Sequence, residues 1–162
     1  NQIVINLAKA FHGSWRLLHV PAIVDSERVK DTLLSDNNIS NILELGKKAN
    51  IALIGIGSPL SSTSTMLETG YFSEEVIKDL KLNNAVCDVC SYFINENGEL
   101  CDAAINSRVI GVSPDDIKKI HHVVGIAGGQ EKHEAVLAAF RAKLLDVIIT
   151  DDMTANFLIS KN

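Results

Sequence analysis

Three residues after a glycine pair stands a lysine, in Ala127-Gly128-Gly129-Gln130-Glu131-Lys132. That arrangement suits the capture of an anion. Two glycines let the backbone turn sharply and let a ligand come close to its N–H groups. A helix starting just after them leaves its first N–H groups unpaired and presents the positive end of its dipole, which together make an anion site. Lys132 would add a full positive charge from the first turn. The competing reading is a tight turn bearing a solvated lysine, with Glu131 as its counter-charge. Asp88 is the second residue of interest, because it interrupts an apolar strand pattern between Val86 and Val89. A carboxylate there must face solvent, be paired, or accept hydrogen bonds from a ligand, and sugar hydroxyls are suitable donors. Gly57 and Ser58 follow the apolar run Ile51 to Ile54 through Gly55-Ile56. They form a strand-to-loop turn and not a dinucleotide fingerprint, since the required third glycine is replaced by Leu60.

Other reactive residue types carry less. The hydroxyl run Ser58, Ser61, Ser62, Thr63, Ser64 and Thr65 could meet phosphate, but reads better as a surface loop. Asp151 and Asp152 suit helix capping. The histidines at 12, 19, 121, 122 and 133 lack the spacing of a zinc site, and His133 is expected at the surface. Cys87-x-x-Cys90 has redox or half-zinc spacing, yet a structural zinc takes four ligands, and no second pair exists to complete the set. Small buried hydrophobes are the plainer reading of these cysteines. No nucleophile elbow, P-loop or metalloprotease helix is present.

These residues need elements to hold them. Gln2 to Phe11 has apolar residues at helical spacing. Trp15 to Val20 reads as a short strand ended by Pro21. Helices follow from an Asp25 or Ser26 cap to Leu34, and from an Asn38 or Ser40 cap to Lys48, the latter with Ile42, Leu43 and Leu45 inward. Ile51 to Ile54 is continuously apolar, as in a strand covered on both faces. Ser73 caps a helix from Glu74 to Leu80. Ala85 to Ile94 reads as a strand, and Asn97-Gly98 as a hairpin turn. The return strand spans Glu99 to Cys101, with a later continuation expected over Arg108 to Val112. Ser113 before Pro114 marks another helix start. A strand over His122 to Ala127, a helix from Gln130 to Leu144, a strand over Asp146 to Ile149 and a final helix capped by Thr150 or Asp151 complete the chain. This alternation predicts an α/β domain with a mostly parallel sheet, helices on both faces and an antiparallel insertion. The ligand then belongs at the carboxyl ends of the strands, where the glycine turns lie.

Composition narrows the function. The chain has 162 residues, one domain's worth, with 15 Lys and Arg against 20 Asp and Glu and a net charge of -5. A surface that grips nucleic acid through phosphates needs a basic excess, so direct DNA contact is not expected. No apolar run approaches the roughly 20 residues of a membrane span, and Asn1 to Phe11 lacks the features of a signal peptide, which favours the cytoplasm. The chain begins at Asn1 and not at Met, so a natural start upstream is expected.

Four stretches in order resemble a known family: Ala49 to Ser58 (ANIALIGIGS), Asn83 to Leu100 (NNAVCDVCSYFINENGEL), Arg108 to Gly111 (RVIG) and Val123 to Ile159 (VVGIAGGQEKHEAVLAAFRAKLLDVIITDDMTANFLI). Together they look like the effector-binding domain of SorC-type transcriptional regulators, from Leu18-His19-Val20-Pro21-Ala22 onward. The resemblance implies a fold similar to ribose-5-phosphate isomerase and glucosamine-6-phosphate deaminase. It implies a sensor for a phosphorylated sugar or polyol that catalyses no reaction and uses no cofactor. Operator DNA would be reached only through a separate N-terminal domain, and the protein would be a homo-oligomer, a dimer or tetramer. Residues 1–162 would be the effector domain without its N-terminal part. By motif, Lys132 after Gly128 and Gly129 meets the phosphate or sugar, Asp88 contacts sugar hydroxyls, and Gly57 and Ser58 border the pocket. The chain departs from the family in lacking its Gly-Gly-Thr phosphate loop and its helix-turn-helix. Cys87 stands where the family often has Gly, and Ser58 where some members have Asp. The alternatives are a sugar-phosphate isomerase or deaminase of the same fold, with Asp88 or Asp151 as general base, and a thiol or metal module on Cys87 and Cys90.

Overall fold

Ser, Thr, Asp and Asn favour helix starts because a side-chain oxygen can take an N–H that the helix leaves free. In the computed structural model, which describes residues 2–61, 64–68 and 72–161 (backbone alone for Thr65 and Glu68), five helices begin this way. In chain order the elements are α1 (Gln2–Ala10), α2 (Glu27–Leu34), α3 (Asn37–Lys47), β1 (Ile51–Gly55), α4 (Thr65–Glu68), α5 (Glu74–Leu82), β2 (Ala85–Val89), β3 (Tyr92–Asn95), a 3₁₀ turn (Ala104–Arg108), α6 (Pro114–Ile117), β4 (His122–Ile126), a second 3₁₀ turn (Gln130–Lys132), α7 (His133–Arg141), β5 (Val147–Ile149) and α8 (Asp152–Ser160). Ser26, Ser73, Ser113 and Asp151 cap α2, α5, α6 and α8. The cap of α3 is Asp36 and not Asn38 or Ser40. Its carboxylate accepts from both Asn38 and Ile39 amides, at 2.8 and 3.3 Å, so the helix starts earlier than expected.

β1, β4 and β5 form a parallel sheet in the order β1-β4-β5, and β2 and β3 form a separate antiparallel pair. Ile54 and Val123 point from the sheet into the largest core, where they meet Cys87 and Val89 of β2 and Ala135, Val136, Ala138 and Ala139 of α7. The alanines let α7 lie close. Gly125 has a related purpose, since a Cβ there would come within 2.9 Å of Leu145 and 3.1 Å of Ile56. A second core joins β3, α5 and the first 3₁₀ turn around Phe93, Leu80 and Ile105, and a third lies under α2 and α3 around Val24, Leu43 and Ile110.

The apolar run of β1 is not covered on both faces. Ile51 and Leu53 are 59% and 54% exposed, and on the same face Ile126, Val147 and Ile149 are exposed too. Only the α7 side of this sheet is packed among the described residues. Leu45 likewise points outward, and α1 buries no residue. Trp15 to Val20 makes no strand. A strand needs a ladder partner, and among the described residues this segment has none; pairing begins only at an isolated bridge between Ile23 and Val109.

The antiparallel unit also differs from expectation. The apolar stretch from Ala85 breaks at Cys90 and Ser91, both at positive φ (51° and 68°), so a two-residue turn links β2 and β3. Such turns favour Asn and Gly, and Cys-Ser gave no warning. Asn97-Gly98 is a second turn, with Gly98 at φ 85° pressed against the α7 end, where a Cβ would lie 2.3 Å from the Ala142 nitrogen. The return beyond it pairs only through a bridge of Ile94 with Leu100. The chain then enters the 3₁₀ turn, whose Asn106 is buried. Asn106 accepts from the Phe93 amide at 2.8 Å and donates to the Phe93 and Cys101 carbonyls at 3.0 and 2.8 Å. Among the described residues no helix is long and apolar enough to cross a membrane.

Candidate functional site

The carboxyl ends of β1 and β4 open into a cavity of about 390 Å³, within the range of small-molecule sites. Gly55, Ile56, Gly57 and Ser58 form the wall that continues from β1, and Ile126 and Ala127 the wall from β4. Asp88, Lys132, Ser64 and Met66 complete the lining. Four of the expected site residues, Gly57, Ser58, Asp88 and Lys132, thus meet at one place.

Local pairing explains how Asp88 arrives there. On β2, Ala85, Cys87 and Val89 face the core, which turns Val86 and Asp88 the other way. The chain leaving β1 then pairs with β2: the Gly57 amide donates to the Asp88 carbonyl at 2.8 Å and the Asp88 amide to the Gly57 carbonyl at 3.0 Å. The Asp88 carboxylate lies directly over the Gly57 α-carbon. A Cβ on residue 57 would fall 1.7 Å from Asp88 Oδ1, so glycine here is a requirement of close approach and not of backbone angle.

The electrostatics of the cavity are those of two separated charges. Burial pushes the Asp88 carboxyl above the usual carboxylate range, and the Lys132 ammonium opposes that shift. Neither side chain has a hydrogen-bond or ion-pair partner among the described residues. Asp88 is therefore an acceptor facing open space, and Lys132 a cation facing the same space.

Gly128 and Gly129 are not part of the lining. The expected helix start is a 3₁₀ turn over Gln130–Lys132, and α7 begins only at His133. The Gly129 amide, at φ 100°, donates to Asp151 Oδ2 at 2.5 Å. Asp151 also accepts from the Thr154 amide at 2.7 Å, and these backbone hydrogen bonds, Thr154's first, hold its carboxyl below the usual range. A fixed carboxylate thus occupies the slot read as open to an anion. Its effect on the site is to fix the turn that aims Lys132. Glu131 is the expected counter-charge of Lys132, but the carboxylate that engages this turn's backbone among the described residues is Asp151, the cap of α8. His133 is no surface residue either. It stacks on Phe157 at 4.5 Å, and its Nε2 is buried without a hydrogen-bond partner among the described residues, as is Thr150 Oγ1.

Ser64 and Met66 were not singled out as site residues. The hydroxyl run was the available signal for Ser64, while Ser62 and Thr63 lie outside the described residues. A larger hollow, about 540 Å³, opens between α2 and α5. Asp25, Glu27, Glu75 and Asp79 against Arg108 make it unsuited to an anion, and it is away from the strand ends. The thiols make no site: Cys87 and Cys101 are buried, Cys90 lies exposed at a turn, and burial pushes the Cys101 thiol up to about 11. No cluster of three or more potential metal ligands occurs among the described residues.

Comparison with known proteins places the chain in a family. A family model described as a sugar-binding domain matches residues 1–160. The deoxyribonucleoside regulator of Bacillus subtilis is 37% identical over 153 residues, which cover 94% of this chain and 48% of that protein. The sorbitol operon regulator of Klebsiella pneumoniae is 25% identical over 98% of this chain and 50% of that protein. Among solved structures, a DeoR family transcriptional regulator from Listeria monocytogenes superposes with a TM-score of 0.90 at 37% identity, covering 98% of this chain and 64% of that one. The chain therefore spans about half the length of the curated relatives it matches. These relatives are named as regulators, the Listeria protein as a transcriptional regulator, and none of them as an enzyme.

Proposed function

Because the chain belongs to the sugar-binding domain family of DeoR/SorC-type regulators, we propose that it is the effector-sensing part of a longer regulator and that its effector is a phosphorylated sugar or polyol. One observation carries the reading: Asp88 and Lys132 face a single cavity at the strand ends, and neither side chain is hydrogen-bonded or ion-paired among the described residues. A ligand that answers both must carry an anion for Lys132 and hydrogen-bond donors for Asp88. A sugar or polyol phosphate has both groups a few ångströms apart. The phosphate contact is charge-assisted and the hydroxyl contacts supply orientation. Gly57 and Ser58 then border the bound molecule, and Gly128 and Gly129 act on it only through the direction they give Lys132.

In this reading the domain binds and does not turn over its ligand. The acidic balance of the chain leaves operator contact to a DNA-binding domain elsewhere in the longer protein, and a homodimer or tetramer would carry the signal between them. For sensing, the effector must bind two states with different affinity. The test is a thermal-shift panel of pentose, hexose and polyol phosphates beside their unphosphorylated parents. At a ligand concentration about 100 times its Kd the stabilisation is about 2.7 kcal/mol, a rise in Tm of roughly 5–11 °C for a chain of this size. The phosphorylated compound is expected to shift Tm and its parent is not. No shift with any phosphate at millimolar concentration overturns the reading, and turnover of one of them by the chain replaces it with an isomerase or deaminase.

A further inference from the structure

Lys132 is the only cation lining the cavity among the described residues, yet its own turn holds it loosely. Pairing between β4 and β5 ends where the Ala127 amide donates to the Ile149 carbonyl at 3.2 Å. The 3₁₀ turn over Gln130–Lys132 has no side-chain cap. Its backbone bonds are internal, from the Lys132 amide to the Gly129 carbonyl at 2.9 Å and from the His133 amide to the Gln130 carbonyl. Lysine carries a compact charge on a flexible stem, so its contact with a ligand gains from a base that is already in place.

Two contacts supply that base, one on each side of Lys132 in the sequence, and both come from α8. Before it, the Gly129 amide donates to Asp151, the residue that caps α8. Asp151 is itself fixed by the Thr154 amide at 2.7 Å. After it, His133 stacks on Phe157, six positions along from Asp151, with ring centroids 4.5 Å apart and planes 19° from parallel. The Lys161 ammonium lies 5.3 Å from the centroid of the same Phe157 ring, a contact that favours an aromatic side chain there over an aliphatic one. Neither Asp151 nor Phe157 belongs to the cavity lining. A single tie at Gly129 would leave the turn free to pivot. With His133 held as well, Lys132 can swing only if α8 shifts or a tie breaks.

We infer that α8 is the positioning element of Lys132: Asp151 and Phe157 grip the residues on its two sides, so the seating of α8 sets how well the cavity holds its effector. Coupling between sites is reciprocal. An occupied cavity therefore steadies α8 in turn, and the helix registers whether effector is bound. The inference rests on the sensing reading for its ligand, while the clamp itself can be tested in the empty protein. A role confined to packing predicts a different pattern, because a weakened contact between α7 and α8 would loosen the core without singling out the turn.

The test compares wild type with Phe157→Leu, which removes the ring but keeps an apolar residue, and with Phe157→Tyr, which keeps the ring. In the empty protein, hydrogen exchange at the amides of Gly129, Lys132 and His133 should quicken about fivefold in Phe157→Leu. The β4 amides should be unchanged, and Phe157→Tyr should restore the wild-type rate at the turn. Affinity for the sugar or polyol phosphate that raises the wild-type Tm most, read by calorimetry, should fall about tenfold in Phe157→Leu and recover in Phe157→Tyr. The same compound should slow exchange of the wild-type α8 amides at 155–160 more than those of α2. Even quickening across β4 and the turn, or none at the turn, overturns the inference whatever the cavity binds. So does full affinity in Phe157→Leu, and so does α8 exchange that the compound leaves unchanged. No shift of the wild-type Tm by any phosphorylated compound overturns the sensing reading and, with it, the claim that α8 sets affinity.

Discussion

Asp88 and Asn106 approach Phe93 from opposite sides, and their polar groups are treated in opposite ways. Asp88 stands across the ladder from Phe93, while Asn106 grips the Phe93 amide and carbonyl from the other edge. Asn106 is buried with both ends of its amide engaged, so it satisfies groups that would otherwise be stranded. Asp88 is half-buried with no side-chain partner among the described residues, and burial makes its charged form costly. A polar group that the fold completes is a structural pin. One left incomplete beside a cavity costs stability without a ligand, and that cost is the physical mark of a binding group.

The contrast is open to attack from both ends. The largest effect is expected from Asn106→Ala, which strands the Phe93 amide and takes the side-chain donor from the Cys101 carbonyl, while the Phe93 carbonyl keeps the Cys101 amide. It should cost about 3 kcal/mol, roughly 6–12 °C in Tm, measured by thermal or urea unfolding, with effector affinity per folded molecule unchanged. Lys132→Met should do the reverse, lowering affinity for a sugar phosphate about a hundredfold by calorimetry while stability stays within about 0.5 kcal/mol. Asp88→Asn should weaken effector binding about tenfold and yet stabilise the empty protein by about 0.5–2 kcal/mol, as for other strained functional sites. If the asparagine variant proves less stable, the cost assigned to Asp88 is wrong.

pH sharpens that third test. Because the folded Asp88 carboxyl is raised, its cost is present at neutral pH and vanishes as pH falls below the ordinary carboxylate value near 4, where both folded and unfolded forms are protonated. The stability gap between Asp88→Asn and wild type should therefore close on acidification. Asp151 and Asp116 have the opposite sign. Hydrogen bonds from Thr154 and Gly129 to Asp151, and from Lys119 and Ser113 to Asp116, depress their carboxyls. Their contribution is present above about pH 4 and lost as pH falls through the folded values. The smallest effect concerns the turn between the two polar groups. Ser91→Gly relieves a positive φ at the entropic cost of glycine and should stabilise by about 0.5 kcal/mol, with no change in effector affinity.

Much of this was legible in the residue order. The strand-helix alternation and the Ser caps of α2, α5 and α6 follow from local pattern, and the interest of Gly57, Ser58 and Lys132 from where ligands sit in such sheets; grouping Asp88 with them rested on the family resemblance. What escaped did so for reasons outside local sequence. Trp15 to Val20 has strand composition, but a strand exists only by virtue of a neighbour. Cys90 and Ser91 adopt a turn that their side chains do not favour, because the cores beneath β2 and β3 decide it. The partner of Gly129 proved to be Asp151, 22 positions on, and a contact of that kind has no signature in spacing. Asp151 was read correctly as a helix cap; its second hydrogen bond could not be read at all.

The intimacy of Gly57 with Asp88 has a consequence for how relatives of this protein can change. Position 57 is closed to any larger residue for as long as the carboxylate stays, and under the proposed function the carboxylate cannot move without giving up its grip on the ligand. Two walls of the chamber are thereby locked together, and neither can drift alone. New effector preferences should instead arise by exchange at Ser58, Ser64 and Met66, the lining positions where a change of size or polarity leaves that pair untouched.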